Sequence, residues 1–110
     1  MLTPLCVAVL LVQAQVRERP AARTLAAWLE AFNSGERGRL KAFLDVHAPK
    51  RELERELEFC EETGGFDLVR ILSSAPAEMT ALVRSRELGH YVELALRVEP
   101  EPPHRIVSLR

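Results

Sequence analysis

A chain of 110 residues has room for one domain built on one modest core. Its hydrophobic fraction of 47% and charged fraction of 28% are those of a globular protein and exclude a disordered or fibrous chain. Fifteen Lys and Arg against sixteen Asp and Glu leave a formal net charge of −1, so no overall field is available to hold a nucleic acid or an anionic membrane surface.

Met1 to Ala14 carry no charged side chain and include the apolar run Leu5 to Val12. That run is too short to span a bilayer, which needs about 20 apolar residues. It fits the hydrophobic region of a secretory signal, and Val12-Gln13-Ala14 supplies small residues where a signal peptidase reads, with cleavage before Gln15. The expected organisation is a signal peptide over 1–14, a short linker over 15–20 and one folded domain over 21–110. The compartment is then periplasmic or secreted, with no membrane attachment once the signal is removed. Cys6 would leave with the signal, so Cys60 would be the one thiol of the mature chain and no internal disulfide could form. Cys60 shares a helical stripe with Leu53 and Leu57, the setting of a small buried hydrophobe rather than a nucleophile.

Pro20 stands where a helix favours it, and Ala22, Leu25, Ala26, Trp28, Leu29 and Phe32 recur at helical spacing. Asn33-Ser34-Gly35 ends this first helix with residues that tolerate a left-handed turn. A second helix is predicted from Glu36 to Val46 with Leu40, Phe43 and Leu44 on one face, and Pro49 closes it. A third is predicted from Lys50 to the Gly64-Gly65 terminator. Its apolar positions are Leu53, Leu57 and Cys60, and Arg51, Glu52, Glu54, Arg55, Glu56 and Glu58 form its wet face.

From Phe66 onward the period changes from helical to alternating. Strands are predicted over Phe66 to Leu72, Glu78 to Ser85, Tyr91 to Val98 and His104 to Leu109, with turn residues between them. In the third, Val92, Leu94, Leu96 and Val98 alternate with Tyr91, Glu93, Ala95 and Arg97, the mark of a sheet with one dry face. The fold class is therefore α+β: three N-terminal helices packed on the dry face of a four-stranded antiparallel meander, with the sheet expected to curve around them into a cone.

Three segments carry a family resemblance: Trp28-Leu29-Glu30-Ala31-Phe32-Asn33-Ser34-Gly35, Thr63-Gly64-Gly65-Phe66-Asp67-Leu68 and Pro102-Pro103-His104-Arg105-Ile106. Together they resemble the nuclear-transport-factor-2-like, or cystatin-like, α+β cone module that precedes secreted bacterial serine hydrolases of the penicillin-binding or β-lactamase-related type and some secreted serine peptidases. The resemblance spans Ala21 to Arg110. It implies a cone-shaped fold, an exported setting and a supporting role beside a hydrolase domain. It implies no catalysis by this segment, and the hydrolase signature Ser-x-x-Lys is absent from the sequence.

Cone folds also host enzymes, and ketosteroid-isomerase-like relatives pair a carboxylate base with an oxyanion hole of Tyr and protonated Asp. Here the one Tyr, Tyr91, falls on the polar face of its strand, and Asp45 and Asp67 are the two Asp available. His47, His90 and His104 show no ligand spacing with one another, and no His-x-x-x-His or Cys-x-x-Cys motif exists, so no metal site or cofactor is expected. Gly64-Gly65 follows a helix and precedes a strand, the reverse of a phosphate loop.

Two functions are compatible with these residues. The first is a non-catalytic exported module. It would bind a small apolar ligand against Trp28, Phe32, Leu94 and Leu96, residues that otherwise form core, or bind protein through its sheet: a hydrolase domain, or a second copy in a homodimer on the wet face bearing Glu93 and Arg97. The second is a small cone-fold enzyme with His90 or Asp67 as base.

Overall fold

The computed structural model describes residues 19–110. The signal expected over 1–14 and the linker expected over 15–20, apart from Arg19 and Pro20, lie outside the described residues.

Helix α1 (Pro20–Ser34) opens with Pro in its first turn and closes at Gly35, whose φ of 66° lets its N–H turn back to the Phe32 carbonyl at 3.3 Å. Ala21, Thr24, Leu25, Trp28, Leu29, Ala31 and Phe32 are all buried, a band too wide for one interface. One side of α1 lies on the sheet. The other receives α2 (Arg37–His47), through Leu40, Phe43 and Leu44, and α3 (Leu53–Thr63), through the partly buried Leu53, Leu57 and Cys60. Phe66 completes an aromatic cluster with Phe32 at 5.6 Å, Trp28 at 6.4 Å and Phe59 at 5.6 Å between ring centroids.

The sheet is an antiparallel meander in the order β1 (Phe66–Ser74), β2 (Glu78–Ser85), β3 (Tyr91–Val98), β4 (Ile106–Leu109). Met79, Ala81, Val83, Leu94, Leu96 and Val98 alternate onto the helix-covered face and are buried, as strict alternation requires of a sheet packed on one side. Arg97 and Glu78 pair at 2.7 Å, and the Ser73 and Thr80 hydroxyls meet at 2.6 Å. The sheet is not strongly curled. Trp28, Phe32 and Leu25 fill the space against its dry face, where the sequence suggested the hollow of a cone.

Three boundaries differ by two residues or more from those read in the sequence. Helix α3 starts at Leu53 because Arg51 N–H is taken by the Ala48 carbonyl at 3.0 Å in a turn. Strand β1 runs two residues further, to Ser74, and β4 starts at Ile106 because His104 sits at a φ of 60°. Glu56, assigned to the wet face of the third helix, is buried. It stands three residues after Leu53 and four before Cys60, on the stripe facing the core, and its Oε1 accepts from Arg51 Nε at 2.5 Å.

The join between helices and sheet is a side-chain clamp. Asn33 Nδ2 donates to the Phe66 carbonyl at 2.7 Å, and Asn33 Oδ1 accepts from the Phe66 N–H at 2.8 Å. Gly65 makes the approach possible, since a Cβ there would lie 2.8 Å from Asn33 Oδ1. Asn33→Ala removes both bonds and leaves two backbone groups of Phe66 unpaired. It is expected to cost about 1–3 kcal/mol in urea unfolding, and an unchanged midpoint would show the clamp to be idle.

Candidate functional site

The residues named from the sequence fall into three places. Trp28, Phe32, Leu94 and Leu96 come together in the single core cluster, all buried. Trp28 Nε1 is buried without a hydrogen-bond partner among the described residues. An open cleft of about 460 Å³ lies elsewhere, lined by Lys50, Arg51, Glu52, Arg55, Glu56 and Phe59 at the start of α3.

Asp67 and His90 are both exposed and belong to separate hydrogen-bonded units. Asp67 Oδ1 accepts from Arg86 Nε at 2.9 Å. The backbone N–H of His90 donates to Ser85 Oγ at 3.0 Å, closing the β2–β3 connection. Tyr91 is exposed on the wet face with the Arg84 guanidinium 6.0 Å from its ring centre, and Asp45 is paired with Lys41 at 2.7 Å. No group of three His, Cys, Asp or Glu able to hold a metal ion occurs among the described residues, and no helix among them is long and apolar enough to cross a membrane.

The unusual surface is the free edge of β1. The strand order makes β1 an edge, and its pairing with β2 shifts register between Leu68 and Arg70 and again between Ile71 and Ser73, so Val69 and Leu72 are bulged residues. Leu68 and Ile71 lie opposite Val83 and Ala81, which are fully buried, yet they are 48% and 40% exposed. Val69 and Leu72 are 46% and 40% exposed. Helical cover therefore falls from complete to partial within one strand spacing, about 4.8 Å.

Among the described residues, the backbone of this edge is closed at its ends and open between them. The Gly65 carbonyl accepts from Arg86 N–H at 3.0 Å, so by the antiparallel alternation the next residue, Phe66, turns its backbone groups away from β2, where Asn33 takes both. At the other end, Arg19 Nη1 donates to the Ser74 carbonyl at 2.7 Å. The same alternation, stepped across the bulge, turns the backbone groups of Leu68 and Ile71 outward. Native edges are usually blunted by charges, bulges or cover. This one has its bulges and Arg70, with four large apolar side chains around them.

A signal for this edge was present in the sequence. The doublets Leu68-Val69 and Ile71-Leu72 break strict alternation, and a doublet in a strand marks either a bulge or burial on both faces.

With the fold and these surfaces described, comparison with known proteins adds no relative: no family model matches the chain, and neither the search of curated proteins nor that of solved structures returns a match.

Cys60 is a free, half-buried cysteine. Its Sγ donates to the Phe32 carbonyl at 3.0 Å, and burial pushes the thiol pKa up, with Glu61 adding to the rise and Arg86 opposing it. A raised folded value means the neutral thiol is the form folding favours. That stabilisation is in place below the ordinary thiol range and is lost as pH rises through the folded value. At pH 8 a thiol-specific reagent is expected to label Cys60 more slowly in the folded protein than in urea, with the gap narrowing as pH is raised; equal rates would place the thiol in solvent.

Proposed function

We propose that this chain is an exported, non-catalytic protein-interaction module that presents the β1 edge of its sheet to a partner polypeptide. One observation carries the reading: an edge strand with an open central backbone and four large apolar side chains 40–48% exposed. Backbone groups on such an edge supply affinity, and the side chains beside them supply selectivity. The packing of Trp28, Phe32, Leu94 and Leu96 into the core favours protein over a small apolar ligand as the bound species. Asp67, paired with Arg86, and His90, whose backbone N–H bonds Ser85, are both exposed and lie in separate units, which lends no support to an acid–base centre.

Export rests on the uncharged segment from Met1 to Ala14 and its apolar run. The resemblance to modules that precede secreted serine hydrolases supports an accessory role in the same compartment.

A photo-reactive amino acid placed at Leu72, and in a second strain at the exposed Lys41 of α2, tests both parts when the full chain is expressed in a bacterial host. Covalent adducts from position 72 and none from 41 are expected, on a protein whose intact mass begins at Gln15. Absence of adducts from position 72 would remove the interaction reading. An uncleaved product confined to the cytoplasm would remove export.

A further inference from the structure

The open part of the β1 edge has a centre, and its chemistry repeats on either side of that centre. Asn33 occupies the outward backbone groups of Phe66 and Arg19 occupies the carbonyl of Ser74, so the positions left to pair are Leu68 and Ile71 with the bulged residues beside them. The midpoint of Leu68 and Ile71 falls between Val69 and Arg70. A twofold axis through that point lays a second β1 antiparallel to the first, with Leu68 of each copy opposite Ile71 of the other.

We infer that the occupant of this edge is a second copy of the same chain, joined through β1 into one continuous eight-stranded sheet; this rests on the interaction reading above and names its partner. Three features select this partner. The outward-facing backbone residues meet their own kind in this register, so an N–H faces a C=O at both Leu68 and Ile71. The two half-exposed core-face side chains pair across the axis as Leu68 with Ile71, continuing the buried row of Val83 and Ala81 across the boundary between copies.

The charges also fit. Arg70 of each copy lies diagonal to Asp67 of the other, a spacing of about 7–8 Å between neighbouring strands that a long side chain bridges. Asp67, paired with Arg86 at 2.9 Å, is exposed and lies at the rim of the joint. Any other register loses one of these. Placing Arg70 opposite Arg70 sets like charges face to face, and placing Asp67 opposite Arg70 requires Phe66 to give up Asn33.

The contact is small. Pairing over this window with its flanking side chains removes of the order of 1,000 Å² in total, at the low end of specific interfaces, so the dimer is a concentration-dependent one.

Sedimentation equilibrium of the full chain between about 1 and 500 μM tests the assignment, a range chosen to bracket micromolar affinity. Wild type is expected to move from monomer to dimer. Ile71→Lys is expected to raise the dissociation constant more than about tenfold, because it brings a charge into the new strand pair. Val69→Lys, at a bulged and exposed position, serves should Ile71→Lys fail to fold. Val107→Lys, on the opposite edge, is expected to dimerise like wild type.

A wild-type chain that stays monomeric throughout, a dimer indifferent to both β1 variants, or a dimer lost in Val107→Lys would each overturn the proposal. Monomeric behaviour together with adducts from position 72 to a protein of a different mass would overturn the second copy as occupant and leave the interaction reading standing.

Discussion

Asn33 holds two backbone groups of Phe66, and this contact sets the relation between helices and sheet. Phe66 is the first residue of β1 and lies in the aromatic cluster with Trp28, Phe32 and Phe59, so one residue joins the strand ladder, the helix end and the core. Arg19, the residue just before the helix and fourteen positions before Asn33, makes the corresponding contact at Ser74. The helix advances about 21 Å over that interval. Eight unbroken strand steps would cover about 26 Å. The two bulges shorten β1 and bring its ends into reach of both clamps, so bulges, clamps and helix length form one geometric condition.

Meeting that condition fixes the outline of the edge. The helix meets β1 at the strand's ends, through the Asn33 and Arg19 hydrogen bonds and the packing of Trp28 and Phe32 on Phe66, and the middle of β1 is left half covered. Leu68 and Ile71 therefore occupy core-face positions without core burial, while Val83 and Ala81 beside them are fully enclosed. Elsewhere the exposed large apolar residues Val46, Phe59, Leu88, Tyr91 and Val107 are spread over separate elements, and much of the surface is charged and self-paired: Arg37 with Glu54, Lys41 with Asp45, Arg55 with Glu52 and Arg97 with Glu78. The Arg37 guanidinium beside Glu54 holds that carboxyl below its ordinary range, through its hydrogen bond and then its charge, as expected of an exposed pair. Such pairs add little stability individually. Against them, a run of unpaired apolar side chains on an open backbone edge stands out as the surface with something left to bind.

Much of the fold was legible because it is written in local pattern. The 3.6-residue stripe through Leu25, Trp28, Leu29 and Phe32 and the strict alternation from Val92 to Val98 each bury the side they predict. Gly35 and Gly64 end their helices in left-handed conformations, which only the backbone freedom of Gly makes cheap. What escaped depends on distant partners. Asn33 reads as a helix-ending residue, and nothing near it announces Phe66. Glu56 reads as one more charge on a wet helix, and its burial follows from a stripe position that charge composition alone obscures. The candidate binding surface escaped for the same reason: the alternation of β3 was extended to β1, although the doublets there break it, and whether a strand is covered is decided by where the helix lies.

Amide hydrogen exchange, followed residue by residue by NMR in dilute solution, tests most directly whether the helix clamps the ends of β1 and leaves its centre open. Slow exchange is expected at Phe66, whose N–H is held by Asn33, and fast exchange at Leu68 and Ile71, whose N–H groups face outward on the same strand. Exchange at Phe66 as fast as at Leu68, or protection of Leu68 and Ile71 equal to that of β2 in the dilute monomer, would contradict this arrangement.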